Sequence, residues 1–148
     1  MPKASGSAQT QATKTRRDFQ RLADLRAGES AALAKAGKQQ GAYYLGGFAI
    51  ECALKACVAK QTRRHDFPDK RHANQVFTHD LEDLLKLARL DSPLGKDLKA
   101  KPELAKNWGV VRGWNAGSRY ETSGLKGKDM VVAVNSVDGI LEWIKLRW

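Results

Sequence analysis

No stretch of the chain approaches the roughly 18 uninterrupted apolar residues of a membrane span. The N-terminus also lacks the apolar core of a secretion signal. A cytoplasmic protein with no membrane partner is therefore expected. Cysteine is scarce, limited to Cys52 and Cys57. Five positions apart on one helix, the two thiols would point roughly 140° from each other and could not pair. They are expected to be small buried hydrophobes, as suits a reducing compartment. The sequence has no P-loop, no GxGxxG, no GxSxG and no HExxH, so the familiar phosphate-binding, hydrolase and protease motifs give no lead and no cofactor is expected.

What is present is a chain of 148 residues, 42% hydrophobic and 28% charged, enough for one folded domain with a sizeable core. Its formal net charge is +10, from 26 Lys and Arg against 16 Asp and Glu. Residues 1–17 carry Lys3, Lys14, Arg16 and Arg17 with no acid, so the remainder is only moderately basic. Nucleic acid is a candidate partner on this balance, and a basic protein that binds none fits it equally well.

Residues 1–14 are polar, small and aperiodic, and are expected to be a disordered tail ahead of a single domain over 15–148. Thr15 followed by Asp18 has the form of a capping box, and Phe19, Leu22, Leu25, Ala32, Leu33 and Ala36 then keep helical spacing to about Gly37. From Gly41 to Lys60, Tyr43, Gly47, Ile50, Leu54 and Cys57 share one face, widened by Tyr44, Phe48 and Cys52. A helix apolar over so much of its circumference belongs at the centre of a bundle. Gly46-Gly47 costs it roughly 1 kcal/mol per glycine relative to alanine, which implies close approach of a neighbouring helix backbone.

Residues 61–77 form a charged connection, after which Thr78 or Asp80 can cap a helix striped by Leu81, Leu84, Leu85 and Ala88. Ser92-Pro93 reads as the N-cap and first position of a short helix. Pro102 opens another, carrying Leu104, Trp108 and Val111, and residues 115–128 read as a loop. Met130 to Val134 is β-branched enough for a strand, but Met130, Ala133, Val134, Val137, Ile140, Leu141 and Ile144 hold the helical period for about four turns. The expected fold is all-α, an antiparallel bundle of four main helices with one or two short extra helices.

Phe48 to Ala56 within the central helix, Thr78-His79-Asp80-Leu81 with Leu84-Leu85, and Arg119-Tyr120 after Trp114 together resemble the HEPN family over about three quarters of the chain. The resemblance implies a four-helix bundle, homodimerisation, and a place among RNA-cleaving toxins and non-catalytic binding domains. It also implies a possible pairing with a nucleotidyltransferase-like protein in a toxin–antitoxin or defence system. The family's ribonuclease signature is an arginine and a histidine with four to six residues between them. Arg112 matches that arginine, but Gly117, Ser118 and Arg119 stand where the histidine would fall. An arginine stays protonated and can only stabilise negative charge, whereas a histidine can move a proton near neutral pH.

These residues point to an RNA- or nucleotide-binding domain without the usual ribonuclease activity. The alternatives are a divergent ribonuclease using another base, and a protein-interaction module. The candidate ligand-binding residues are Arg112, Arg119, Tyr120, Glu51 and Lys55. Glu51 interrupts an apolar run and needs a cation, either Lys55 at i+4 or a loop arginine, unless it lines one cleft with Arg112 and Arg119. Tyr120 could pack on the bundle or face a ligand. Tyr43, Tyr44, Trp108, Trp114 and Trp143 sit at core spacing. His65, His72 and His79 recur every seven positions, but no cysteine completes a ligand set, so no metal is expected.

Overall fold

A computed structural model describes residues 14–62 and 77–148. The expected tail falls almost wholly outside these residues, as does most of the charged connection with His65 and His72. The described residues are helical, with no strand. Helix α1 spans Arg16–Lys35 and α2 Gln39–Gln61, followed by α3 (Leu81–Leu87), α4 (Asp91–Ala100) and α5 (Pro102–Arg112). A 3-10 turn at Ala116–Tyr120 leads to α6 (Gly127–Asn135) and α7 (Ile140–Lys145).

Helix α1 starts where its first residues dictate. The Thr15 hydroxyl accepts from the Asp18 amide at 3.2 Å, and the Asp18 carboxylate accepts from the Thr15 amide at 2.8 Å, closing the capping box. The helix runs through Gly28 without a break, and Gly37, at a φ of +78°, turns the chain back into α2.

Helix α2 is the hub. It packs against α1, α3, α6, α7 and the 3-10 turn. Ile50, Leu54, Cys57 and Val58 are at most 2% exposed. By length and composition it could cross a bilayer, yet 67% of its apolar window is buried among the other helices. Its apolar residues are accounted for by that core.

Gly46 and Gly47 do admit close neighbours, but these are side chains and not a helix backbone. A Cβ on Gly46 would lie 2.7 Å from Met130 Cγ and 3.0 Å from Ser30 Oγ. One on Gly47 would overlap the Trp114 indole, whose Nε1 donates to the Tyr44 carbonyl at 3.2 Å. The close backbone approach occurs instead at Gly127, where a Cβ would strike the Gln39 carbonyl.

The second half departs from expectation beyond the 3-10 turn that forms inside the expected 115–128 loop. Helix α4 begins at Asp91, so Ser92-Pro93 lies inside the first turn, where proline's missing N–H still has no helical partner to lose. The last four-turn helix is two helices. Ser136 leaves α6 with ψ of 168°, and Gly139 returns so tightly that a Cβ would lie 2.6 Å from the Val134 carbonyl. Asn107 holds the break by donating to the Asp138 carbonyl at 2.9 Å. Val137, which continues the apolar period in sequence, is consequently 92% exposed.

Candidate functional site

Glu51 is the only acid on α2 and is 1% exposed. Its two oxygens divide between two partners. Lys55 Nζ, one turn on and 13% exposed, lies 3.3 Å from Oε2. His79 Nδ1, from the segment leading into α3, lies 2.9 Å from Oε1. A carboxylate only accepts, so Nδ1–H donates and Nε2 is the ring nitrogen left for another partner. The histidine is half exposed, and a buried carboxylate fixes its ring.

The local sequence explains why His79 stands there. Asp80 caps α3 by accepting from the Asp83 amide at 3.0 Å, and the Thr78 hydroxyl accepts from the Asp80 amide at 3.1 Å. Leu81, Leu84 and Leu85 bury the other side of α3. The start of the helix is thereby clamped from both sides, with the residue before the cap against Glu51.

His79 opens onto a cleft of about 330 Å³, lined also by Asp80, Leu81, Glu82, Arg112, Trp114 and Asn115. Arg112 reaches it from the last turn of α5 and donates through Nε to Glu82 Oε1 at 2.7 Å. Trp114, 5% exposed, forms its floor and stacks against Tyr44 with ring centroids 6.1 Å apart. The polar groups available to a ligand are two carboxylates, a guanidinium and an imidazole.

The expected ligand-binding residues are only partly brought together. Arg112 lines the cleft. Glu51 reaches it only through His79, and Lys55 is committed to Glu51. Arg119 is not among the lining residues. Its guanidinium stands 4.9 Å from the Tyr120 ring centroid, and hydrogen bonding to the phenols of Tyr120 first and then Tyr44 raises its pKa. Tyr120 is 75% exposed, so it faces solvent and does not pack on the helices. Trp108, Trp114 and Trp143 are buried, and Tyr43 and Tyr44 pack half-buried against the core.

Of the two cations the sequence offered for Glu51, Lys55 or a loop arginine, Lys55 is its partner, and the second partner, His79, was not foreseen. The signal was present: a glutamate in an apolar helix needs compensation, and a lone histidine beside a helix cap can give it. Among the described residues no cluster of His, Cys, Asp and Glu is arranged to hold a metal ion. Both cysteines are free thiols, pushed up to about 12 for Cys52 and about 11 for Cys57, in each case first by burial. Neither is a nucleophile at neutral pH. Comparison with known protein families, curated proteins and solved structures finds no match to this chain.

Proposed function

We propose that the chain is a HEPN-like domain, an antiparallel bundle of four main helices acting as a cytoplasmic homodimer, that binds RNA or a nucleotide at the His79–Arg112 cleft. The observation that carries this reading is the meeting of Arg112 and His79 in one concave site on a chain with a net charge of +10. A planar guanidinium fork matches two oxygens of a phosphate, and the imidazole in its protonated form adds a second donor through Nε2. The loop from Trp114 and Asn115 continues directly into Arg119-Tyr120. An exposed tyrosine under a guanidinium is a platform for a base, and such stacking is worth about 1–3 kcal/mol per base. Phosphate in the cleft and a base on Tyr120 give each sequence-selected residue a part: Arg112 and Arg119 hold charge, Tyr120 stacks, and Glu51 with Lys55 supports His79.

Fluorescence anisotropy with a labelled single-stranded RNA across a salt series tests this. Affinity should fall with salt, and Arg112→Gln or Arg119→Gln should each weaken binding and flatten the slope. Affinity that ignores salt, or that survives removal of both arginines, rejects the reading.

One observation favours cleavage as a second reading. A histidine oriented by a carboxylate and standing beside an arginine has the parts of a general acid or base with a stabiliser of phosphate charge, although the family's arginine–histidine spacing is missing. Cellular RNA left intact at high protein concentration would reject cleavage and leave binding standing.

A further inference from the structure

One stripe of α2 holds both halves of the proposed site. Gln40, Tyr44, Gly47 and Glu51 follow one another at intervals of four, three and four residues, so they share a face of the helix. Each anchors a different point of the segments that carry the chemistry. Glu51 Oε1 accepts from His79 Nδ1 at 2.9 Å. Gly47 makes room for the Trp114 indole, whose Nε1 donates to the Tyr44 carbonyl. The Tyr44 phenol meets the Arg119 guanidinium, which also stands against the Tyr120 ring. Gln40 Oε1 accepts from the Leu125 amide at 3.0 Å and holds the far end of the same loop.

This arrangement sets a length. Seven residues separate Tyr44 from Glu51, and at about 1.5 Å per residue they span about 10 Å of helix axis. The cleft and the Tyr120 ring therefore stand at two levels of one track. Trp114 and Asn115, both lining the cleft, belong to the stretch of chain that joins the two levels. A stacked strand advances about 3.4 Å per nucleotide, so the interval corresponds to about three steps. A phosphate at Arg112 and a base on Tyr120 consequently come from different nucleotides of one strand.

Both ends are open to receive them. Among the described residues Glu82 is the one partner of Arg112 and engages it through Nε alone. The arginine side chain is 64% exposed, so its terminal nitrogens are free for a phosphate without displacing the carboxylate. Tyr120 is 75% exposed at the other level. A mononucleotide fills one level and leaves the other empty, whereas a short strand fills both.

We propose that the track along the Gln40–Glu51 face of α2 is an oligonucleotide site about three nucleotides long, whose ligand is single-stranded RNA and not a free mononucleotide. This rests on the phosphate-binding reading of the cleft given above and chooses between the two ligand classes that reading allows.

The test is a length series. Adenosine 5′-monophosphate and 5′-phosphorylated oligoadenylates of two to six nucleotides are titrated by calorimetry into wild type, Tyr120→Ala and Arg112→Gln at one salt concentration. Both substitutions are at exposed positions, and the wild-type series is decisive without them. Wild-type affinity should climb at least about 5-fold between one and three nucleotides, the weight of one stacked base, and flatten beyond about four. Tyr120→Ala should bind the monomer as wild type does and lose that climb, and Arg112→Gln should weaken every length alike. A monomer bound as tightly as the trimer overturns the inference while leaving phosphate binding intact. So does a climb that Tyr120→Ala leaves in place. No binding at any length overturns the phosphate-binding reading and this inference with it.

Discussion

The seam where α1, α2 and α6 meet and the cleft between α3 and the end of α5 are built on opposite terms. In the seam, Gly46 and Gly47 leave room for Ser30, Met130 and Trp114, and the Ser30 hydroxyl donates to the Ala42 carbonyl at 2.6 Å. Shape fixes every group there. In the cleft, the chemistry-bearing side chains are exposed, and their positions depend on one buried carboxylate and one solvated ion pair. A substitution in the seam should therefore be read as lost stability, and one in the cleft as changed ligand affinity.

The largest effect should come from Gly47→Ala. The new methyl overlaps the Trp114 indole, and moving that ring breaks its bond to the Tyr44 carbonyl. A loss of about 3 kcal/mol is expected, measured by urea unfolding. A loss under about 1 kcal/mol would show that the seam yields more easily than its geometry implies.

Glu51, buried on α2 and bonded to His79, sharpens the contrast. Glu51→Ala leaves the Lys55 ammonium, 13% exposed, without its counter-charge and should cost about 2 kcal/mol. His79→Ala leaves Glu51 its lysine and should cost about 1 kcal/mol in the same unfolding measurement. Ligand affinity should reverse the order per unit of stability lost, with His79→Ala weakening RNA binding in a protein that still folds. If His79→Ala binds as well as wild type, the histidine serves only to satisfy Glu51.

How much of this was legible in the sequence follows from the range of the interactions. Helices α2 and α5 could be read from their periodicity, and the start of α1 from Thr15 and Asp18, because caps and apolar faces are local. The break at Ser136 to Gly139 could not, since Val137 continues the apolar period and the deciding bonds come from Asn107, 29 positions away from Ser136. The site divides the same way. Glu51 with Lys55 is an i, i+4 pair and was readable, whereas His79 is 28 positions from Glu51 and Glu82 is 30 from Arg112. Those pairings exist only once α3 has docked on α2 and α5.

The smallest predicted effect lies away from both regions. The hydrogen bond from Trp143 Nε1, 2.8 Å from Asp97, is the main cause holding that carboxyl below its ordinary 3.8, aided by the charges of Lys101, Arg147 and Lys96. A depressed folded-state pKa stabilises the protein above 3.8 and ceases to do so as pH falls through the lower folded value. Asp97→Asn should therefore lower the melting temperature slightly at pH 7, where the charged carboxyl stabilises, and flatten its further loss below about pH 4.

The central claim is that the ligand is held at His79 and Arg112. Nuclear magnetic resonance of the labelled protein, following the histidine ring and arginine side-chain signals during titration with a short phosphorylated single-stranded RNA, tests it most directly. The predicted result is saturating shifts at His79 and Arg112, with smaller ones at Asn115, Arg119 and Tyr120. Shifts confined to the distant cations Arg16, Lys60 and Arg147, or no shifts at saturating RNA, would contradict it.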